Sequence, residues 1–465
     1  MKLTICRKNQ GILLTLFITF FSINYTHAAV PTYVNKTQEN MSEVISDACS
    51  KDKSVNEASF QDRCNALARS VGGATNLILK EGEDARDNNA YTGITQVAPE
   101  QQIIPGMQAT RTMRGMVDIT NAAIVARMGL LRAQMLDSSG KRYANRNQLQ
   151  RGAGLFSFIY NPLQSGGSAG IAETNRFSIW GNGYYTGGNV DASINQSGFG
   201  FDNWRGDIGA DYRVTNNFVA GAAFSYMGTG ANINNSGGNV KSDSYTGSIF
   251  SMYTHNSGFY VDGTASYSGL DYDINRHIQY TVVNPSGIDA VNAFTNGRPG
   301  GSQYSVGGGI GYQFNLGSTS IEPFARANYQ ELSINSFNET ESGRGLGWAM
   351  HFSKQNINSL PTTVGLRLSH VFSTPLGVFQ PQIHGAWNHE FLDNQHSIKA
   401  YFLGNGKDRV FNTVAERPDR DYFTVGANLS VTLPYGISAY TGYSTILGYQ
   451  NITSHRVFFG GRIEF

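Results

Sequence analysis

Apolar and charged side chains alternate strictly in several stretches of the chain, and residues 204–214 show the pattern best. One face of this stretch carries Trp204, Gly206, Ile208, Ala210, Tyr212 and Val214. The other face carries Arg205, Asp207, Gly209, Asp211 and Arg213. A period of two predicts a β-strand whose faces lie in different environments. Burying the four charges inside a soluble sandwich would be very costly, whereas lipid outside and water inside satisfies both faces.

The same alternation recurs along the chain after residue 174. A single strand decides little, because a soluble sandwich strand also alternates. The count is more informative, since bacterial membrane barrels have an even number of strands. Twelve strands are predicted, at 174–187, 199–215, 217–229, 240–255, 258–275, 302–315, 318–332, 357–372, 377–393, 418–433, 435–447 and 453–465.

Connection lengths give a second, independent signal. The turn after every even-numbered strand is tight, and the loops after odd-numbered strands are mostly long and rich in Asn, Ser and Gly. Short periplasmic turns opposite long surface loops are typical of outer-membrane barrels. The parity predicts that the first strand begins, and the last strand ends at Phe465, on the periplasmic side.

Charged side chains on the polar faces of these strands are predicted to face the barrel lumen. They are Arg205, Asp207, Asp211, Arg213, Asp262, Glu322, Arg326, Arg462 and Glu464. Two pairs are expected among them, Asp207 with Arg205 and Glu322 with Arg326. Such pairs are expected to brace a pore rather than to catalyse a reaction.

Composition supports a barrel over a helical membrane protein. Of the 465 residues 15% are charged and 12% aromatic, and 54 are Gly. After residue 30 no apolar run approaches the roughly 20 residues that a spanning helix requires. Barrel strands show lipid only every second side chain, so a polar, aromatic and glycine-rich chain suits them.

The first 29 residues predict a secretory signal peptide. Lys2, Arg7 and Lys8 precede an apolar segment at 11–21, and small residues follow up to Ala29. This order is typical of export through the Sec pathway. The alternative is an uncleaved anchor, for which the apolar run is short.

Cys49 and Cys64 are the two cysteines of the predicted mature chain. An even count in an exported protein predicts a disulfide, with two free thiols as the alternative. Such a bond would contribute about 3 kcal/mol in the chain-entropy model. Helical spacing of apolar residues around both cysteines predicts two or three helices within residues 30–106. This domain is too small to bury a large core alone.

Residues 174–465 resemble the autotransporter β-domain of type V secretion. The matching features are Asp-Tyr-Arg-Val at 211–214 before a tight turn, a Gly- and Tyr-rich hairpin at 259–270, and the closing stretch at 421–465. The resemblance implies insertion into outer-membrane lipid by the barrel assembly machinery. It also implies that Phe465 is the terminal aromatic residue which that machinery reads.

In that family one α-helix threads the lumen and links the barrel to an exported domain. The corresponding segment is residues 108–138, since about 30 residues at 1.5 Å each reach ~45 Å and can cross a ~30 Å core. Part of it resembles the R-M-G-x-L-R stretch of the linker helix in serine protease autotransporters. The matching residues are Arg127, Met128, Gly129, Leu130, Leu131 and Arg132.

The self-cleavage site of those proteases does not carry over to this chain. The resemblance places their Asn pair at Ala122 and Ala123, and Ala has no side chain that could act as the cyclising nucleophile. We therefore expect an uncleaved domain, or one processed elsewhere. Residues 105–151 contain eight basic and two acidic side chains, which suits a lumen helix in a net-acidic barrel. The alternative is a basic periplasmic helix outside the pore.

No catalytic, cofactor or metal site is predicted. The G-x-S-x-G match at 166–170 lies in a Gly/Ser-rich joint and not between a strand and a helix, which favours a linker. An esterase or protease would need such a nucleophile, and loss of ester hydrolysis on mutating Ser168 would support that hypothesis. His384 and Glu390 face the same way on one strand but lack metal-ligand spacing. No nucleic-acid partner is expected.

The predicted fold is all-β: a 12-stranded antiparallel transmembrane β-barrel with a lumenal α-helix and a small N-terminal α-helical domain. The predicted segments are a signal peptide (1–29), a helical exported domain (30–106), a linker helix through the lumen (107–150), a Gly/Ser joint (151–173) and the barrel (174–465). The expected function is to anchor and display the non-enzymatic N-terminal domain at the cell surface, where its ligand is unknown. The alternative is a diffusion channel or solute transporter whose helical segment stays in the periplasm.

Overall fold

The computed structural model describes residues 34–50, 58–84, 90–98, 176–193, 197–234, 237–394, 397–406, 410–414, 417, 419–433 and 437–464. The predicted signal peptide, the linker helix with Arg127 and Arg132, the Gly/Ser joint and Phe465 therefore lie outside the described residues. Among the residues that are described, no helix is long and apolar enough to cross a membrane.

The described residues form three α-helices and twenty-one strands. The helices are α1 (Lys36–Ser50), α2 (Ala58–Ser70) and α3 (Tyr91–Val97). The first strands are β1 (Phe177–Val190), β2 (Phe199–Arg213), β3 (Phe218–Ile233), β4 (Gly238–Thr254), β5 (Phe259–Asn284), β6 (Gly287–Gly297), β7 (Gly300–Tyr312), β8 (Phe314–Leu316), β9 (Thr319–Ile334), β10 (Phe337–Asn338) and β11 (Thr340–Arg344). The remaining strands are β12 (Met350–Phe352), β13 (Gln355–Ser359), β14 (Pro361–His370), β15 (Phe372–Thr374), β16 (Gly377–Glu390), β17 (Ser397–Phe402), β18 (Phe411–Val414), β19 (Asp421–Thr432), β20 (Ile437–Leu447) and β21 (Ile452–Glu464).

Twelve wall strands close an antiparallel barrel, as predicted. They are β1 to β5, β7 with its continuation β8, β9, the consecutive segments β13 to β15, β16, β19, β20 and β21. Closure is direct, because β1 pairs with β2 on one side and with β21 on the other. The β1–β21 register runs from Ser178 opposite Glu464 to Val190 opposite Ile452. A closed wall leaves no unpaired strand edge facing lipid.

The two ends of the barrel differ in the length of their connections. At one end the connections between strands span two to four residues, at 214–217, 255–258, 317–318, 375–376 and 433–436. Gly317, in one of the two shortest of these, adopts a φ of 65°, a conformation that glycine accepts without steric cost. The connections at the opposite end range from four residues to the thirty of 391–420. We call these the turn end and the long-loop end.

The alternation in β2 places its two faces in different surroundings. Trp204, Ile208 and Tyr212 are 53%, 60% and 47% exposed on the outer face. Arg205 and Asp207 are buried on the inner face. Exposed aromatic and aliphatic side chains around a polar interior are typical of a wall surrounded by lipid.

Residues 275–301, the long loop that the strand pattern predicts between the fifth and sixth strands, instead continue the sheet. Strand β5 runs on to Asn284, turns, and pairs with β6 from Ile274 opposite Gly297 to Asn284 opposite Gly287. Strand β11 pairs in turn with β6. Residues 335–355 likewise contain strands, and β10, β12, β17 and β18 form a separate four-stranded sheet. We call all of this structure beyond the long-loop end the crown.

The three helices lie in the described residues of the N-terminal domain, and they form for local reasons. At the start of α1, the backbone N–H of Gln38 donates to Asn35 Oδ1 (2.8 Å) and that of Asn35 donates to Gln38 Oε1 (3.0 Å). This reciprocal cap satisfies two donors that a helix start leaves without partners. Met41, Ile45 and Ala48 then fall on one buried face at helical spacing.

A disulfide joins Cys49 in α1 to Cys64 in α2, which confirms the predicted bond. The predicted helices are present, but they do not form a core of their own. They share one apolar core with the crown, which includes Tyr280 in β5, Trp348 and Phe402. The Phe60 ring in α2 lies 5.7 Å from the Trp348 ring and 5.2 Å from the Phe402 ring.

Candidate functional site

Ion pairs line the inner face of the wall. Arg205 Nε donates to Asp207 Oδ1 (2.5 Å), and its Nη2 donates to Ser225 Oγ (2.6 Å). Residues two apart on one strand share a face, so β2 itself brings this pair together. The expected pairing of Asp207 with Arg205 is thus present in the structure.

The other expected pair, Glu322 with Arg326, does not form. Glu322 accepts from Arg367 Nη1 (2.5 Å) and from the Tyr260 hydroxyl (2.7 Å). Arg326 Nη1 donates instead to Asp262 Oδ1 (2.7 Å). Residues four apart on a strand are about 13 Å apart, so cross-strand neighbours compete better.

Gly309 makes the Asp262–Arg326 pair possible across an intervening strand. Asp262 in β5 and Arg326 in β9 both lie opposite Gly309 in β7. A Cβ at that position would come 2.7 Å from Arg326 Nη1 and 3.0 Å from Asp262 Oδ2. The ion pair therefore occupies the space that a side chain at position 309 would fill.

The remaining predicted lumen charges lie near the turn end. Asp211 Oδ1 accepts from Ser178 Oγ (2.6 Å), joining β2 to β1. Arg213 is 8% exposed and Arg462 3%. Arg462 forms an ion pair with Glu464 on the same strand. These side chains extend the polar inner face from β21 across the closure to β2.

His384 and Glu390 both lie on β16, six residues and about 20 Å apart along the strand. Glu390 accepts from Ser359 Oγ (2.5 Å) and from the backbone N–H groups of Leu360 (2.7 Å) and Leu392 (2.8 Å). It thereby supports the chain where β13 gives way to β14. Among the described residues, no group of three or more His, Cys, Asp or Glu side chains could hold a metal ion.

Two aromatic girdles mark the faces of the membrane on the outer surface. Nearer the long-loop end lie Tyr185, Trp204, Tyr245, Tyr267, Tyr304, Trp387, Phe423 and Tyr443, each more than 40% exposed. Nearer the turn end lie Phe177, Tyr212, Tyr253, Phe259, Phe314 and Phe372, each at least 40% exposed. On β2 the girdles are eight residues apart, or about 20 Å of membrane after strand tilt. This is close to the ~25 Å apolar band of outer-membrane barrels.

Arg276 makes several hydrogen bonds in the crown, and the sequence pattern does not predict its role. It is fully buried, and its Nε and Nη2 donate to the two oxygens of Glu339 at 2.7 and 2.6 Å. Its Nη1 donates to the carbonyl of Val97 (3.1 Å), and Nη2 also donates to the carbonyl of Trp348 (3.1 Å). Arg276 therefore joins the end of α3 to two segments of the crown.

Further contacts hold the helices against the crown. Arg63 in α2 forms an ion pair with Asp289 in β6. The Trp348 indole N–H donates to the Tyr280 hydroxyl (3.0 Å), and burial raises the pKa of that hydroxyl. At Gly347, whose φ is 128°, a Cβ would come 2.7 Å from the Phe60 backbone. The crown loop and α2 thus meet at backbone distance.

Comparison with known proteins identifies one family. A family model for the autotransporter β-domain matches residues 179–444. None of the curated proteins matches the chain.

Several solved structures match the chain, each at low sequence identity. The translocator domain of autotransporter NalP from Neisseria meningitidis is 16% identical with a TM-score of 0.48, covering 62% of this chain and 89% of that one. The β-domain of the Bordetella autotransporter BrkA is 16% identical with a TM-score of 0.42, covering 63% and 100%. The P. putida toluene transporter TodX is 10% identical with a TM-score of 0.38, covering 65% and 95%.

Proposed function

The chain belongs to the autotransporter β-domain family, whose model spans more than half of its length, and on this premise we propose that its barrel holds a small, non-enzymatic N-terminal domain at the cell surface. Membership places the barrel in the outer membrane and implies insertion and secretion machinery of the kind the family uses. One observation carries the proposal: residues of all three helices share a single apolar core with the crown. The domain is docked on the long-loop end, which in such barrels faces outward.

The positions of the two chain segments flanking residues 99–175 support a path through the lumen. Val97 contacts Arg276, which lies beyond the long-loop end. The backbone carbonyl of Arg176 accepts a hydrogen bond from the backbone N–H of Arg213 (2.8 Å), beside the turn at 214–217. The intervening residues must connect opposite ends of a closed barrel. A polar segment cannot cross through lipid, so the lumen is the path that we propose for the linker helix.

The same contacts support retention of the domain. A domain that shares its core with the crown would expose apolar surface on both sides if it were released. Ala122 and Ala123, where related proteases have their cleavage pair, fit this proposal. We therefore propose that the domain stays covalently attached and docked, presenting a surface whose ligand is to be identified.

Protease accessibility on intact cells tests this topology. A protease-cleavable tag inserted next to Asn88 should be cut from outside, while the same tag between Gly317 and Ser318 in a turn should be protected. The full-length chain should also remain one band after denaturation. A protected tag at Asn88 in an assembled barrel would contradict surface display.

The second candidate function is a diffusion channel, and the charged inner face of the wall favours it. Side chains such as Arg205, Asp262 and Arg367 would suit a water-filled pore. Planar-bilayer conductance separates the two functions. If residues 108–138 fill the lumen, their deletion should raise single-channel conductance, whereas an open channel should conduct equally with and without them.

A further inference from the structure

The outermost part of the β5–β6 hairpin has one edge that no described strand covers. Strand β4 pairs with β5 only as far as Gly238 opposite Arg276. The last bond across that side is from the His277 backbone N–H to the Gly237 carbonyl (3.3 Å). Beyond it, residues 278–284 pair with β6 and with no other described strand. We call this side of residues 278–284 the ribbon edge.

Backbone geometry shows which residues supply the hydrogen-bonding groups of the ribbon edge. Within a strand the N–H and C=O of one residue point to the same side, and successive residues alternate. Since His277 points toward β4, Gln279, Thr281 and Val283 point the same way. In the part of the chain that the structure describes, the backbone groups of these three residues have no hydrogen-bond partner. The ribbon edge is therefore a ready template for another strand.

Nothing in the local sequence guards this edge. Residues 277–288 contain no Lys, Arg, Asp or Glu, and Ile278, Thr281, Val282 and Val283 are β-branched. Proteins usually protect an exposed edge with a charge, a proline or a bulge. Pro285 lies in the hairpin turn, outside the pairing segment. A short, uncharged and β-branched segment of this kind favours intermolecular pairing.

Residues 278–284 pack against the N-terminal domain, which holds the ribbon edge in shape. Ile278, Tyr280 and Val282 on its inner face are 0%, 3% and 2% exposed and belong to the shared core. The opposite face is open, with Val283 64% and Ile288 71% exposed. A pre-shaped edge loses less conformational entropy on pairing than a flexible one.

From these observations we propose that the ribbon edge pairs antiparallel with the ribbon edge of a second copy of this chain in an opposing membrane. A two-fold axis perpendicular to the sheet generates such a pair, with the same edge used by both copies. Thr281, the midpoint of residues 278–284, then lies opposite Thr281 of the second copy. Gln279 then lies opposite Val283 of the second copy. The paired side chains project from the same face of the sheet.

The direction of the strands decides between opposing and shared membranes. Strand β5 runs from the turn end outward, and beyond Tyr267 in the girdle it continues for about 55 Å along its axis. Antiparallel partners therefore come from barrels that point toward each other. Two copies in one membrane would present parallel strands. A two-fold axis parallel to those strands would place each backbone N–H of one copy opposite the same N–H of the other. That arrangement makes no ladder.

Clustering of vesicles that carry the full-length protein tests the proposal. The result of this assay does not depend on export or on the topology proposed above. Vesicles carrying the wild-type protein should cluster, as followed by light scattering. Vesicles with Thr281→Lys or with Thr281→Glu should each cluster about tenfold more slowly, because like charges would face each other across the axis. Mixing the two variants should restore clustering, because opposite charges then meet. The matched control Ser342→Lys, on the exposed face of β11, should cluster as the wild type does.

A proline variant tests the proposed hydrogen bonds between the two copies without introducing a charge. Thr281→Pro removes an outward N–H and no internal ladder bond, so it should cluster as slowly as the charged variants while the barrel still assembles. The proposal is overturned if wild-type vesicles stay dispersed, if Thr281→Lys vesicles cluster at the wild-type rate, or if the Lys and Glu variants fail to cluster together. Binding of an unrelated extended peptide in place of a second copy would appear as the first of these results.

Discussion

Arg276 is a single residue on which the junction between the N-terminal domain and the crown depends. Its guanidinium is enclosed by Glu339, two backbone carbonyls and the Thr295 hydroxyl (3.2 Å). Glu339 in turn also accepts from the Met350 backbone N–H (3.0 Å). A buried pair with all its bonds made is tolerated, whereas half of such a pair is strongly unfavourable.

Replacing Arg276 with Met should therefore loosen the junction. Glu339 would be left buried without its cation, which we expect to lower the free energy of unfolding of the crown by about 3–5 kcal/mol. Urea unfolding followed by tryptophan fluorescence measures this, since Trp348 is fully buried against Phe60. Arg298→Met is the matched control, because the Arg298 side chain is 73% exposed. Equal midpoints for the two variants would contradict this role of Arg276.

Asp393 gives a residue-scale prediction on pH. It follows β16 in the long loop, and its bond with Arg420, together with the charge of Arg417, lowers the pKa of its carboxyl. A depressed pKa in the folded state contributes stability above the ordinary value of 3.8, and this contribution is lost as the pH falls through the folded value. We expect the loop at 391–420 to loosen in that acidic range.

Peptide-resolved hydrogen exchange, corrected for its intrinsic pH dependence, measures the loosening. Asp393→Asn should exchange fast in this loop already at neutral pH and should show no further acid transition there. An unchanged acid transition in the variant would assign the effect to another group.

At the scale of elements, the disulfide links α1 to α2. It closes a loop of sequence separation 15, and both helices turn their apolar residues toward the crown. The bond restricts the unfolded domain more than it changes the folded one. The domain is small, so such a cross-link matters more to it than to the wall.

The double variant Cys49→Ser/Cys64→Ser should destabilise the N-terminal domain by about 3 kcal/mol and leave the wall intact. Limited proteolysis of the domain and heat-resistant mobility of the barrel report the two parts separately. Wild-type protein treated with a reductant should behave as the variant does. Loss of barrel mobility in the variant would show that the domain and the wall are coupled more closely than we infer.

At the scale of the whole molecule, the wall and the crown have different sources of stability. The wall is held by a continuous ladder that closes between β1 and β21. The crown has no such closure and depends on the apolar core that it shares with the helices. The barrel should thus tolerate changes that the crown does not.

Deletion of residues 34–98 tests this division. The barrel should still assemble with heat-resistant mobility, because none of its ladder bonds is lost. The crown should become protease-sensitive at 273–294, because Ile278, Tyr280 and Val282 would lose their apolar partners. A crown that stays resistant after the deletion would show that the loops fold by themselves.

Twelve strands, their order and their facing could be predicted because alternation is a local property. In each strand the apolar residues face lipid and the polar residues face water, as Trp204 and Arg205 do in β2. The disulfide was predictable for a different reason: an exported chain with two cysteines leaves few choices. Prediction weakened in the long loops, where the residues of 275–301 alternate but lie beyond the membrane.

The sequence by itself determined the polar interior, because alternation is read one strand at a time, and it determined the closed barrel through the strand count and the connection lengths. Only the tertiary structure decided that Glu322 pairs with Arg367 and that Arg326 reaches Asp262 past Gly309, since these contacts depend on strand register. It also decided that Arg276 meets Glu339 and Val97, residues far apart in the chain. The N-terminal domain and the crown each lack a sufficient core alone, so their union becomes visible only when both are folded together.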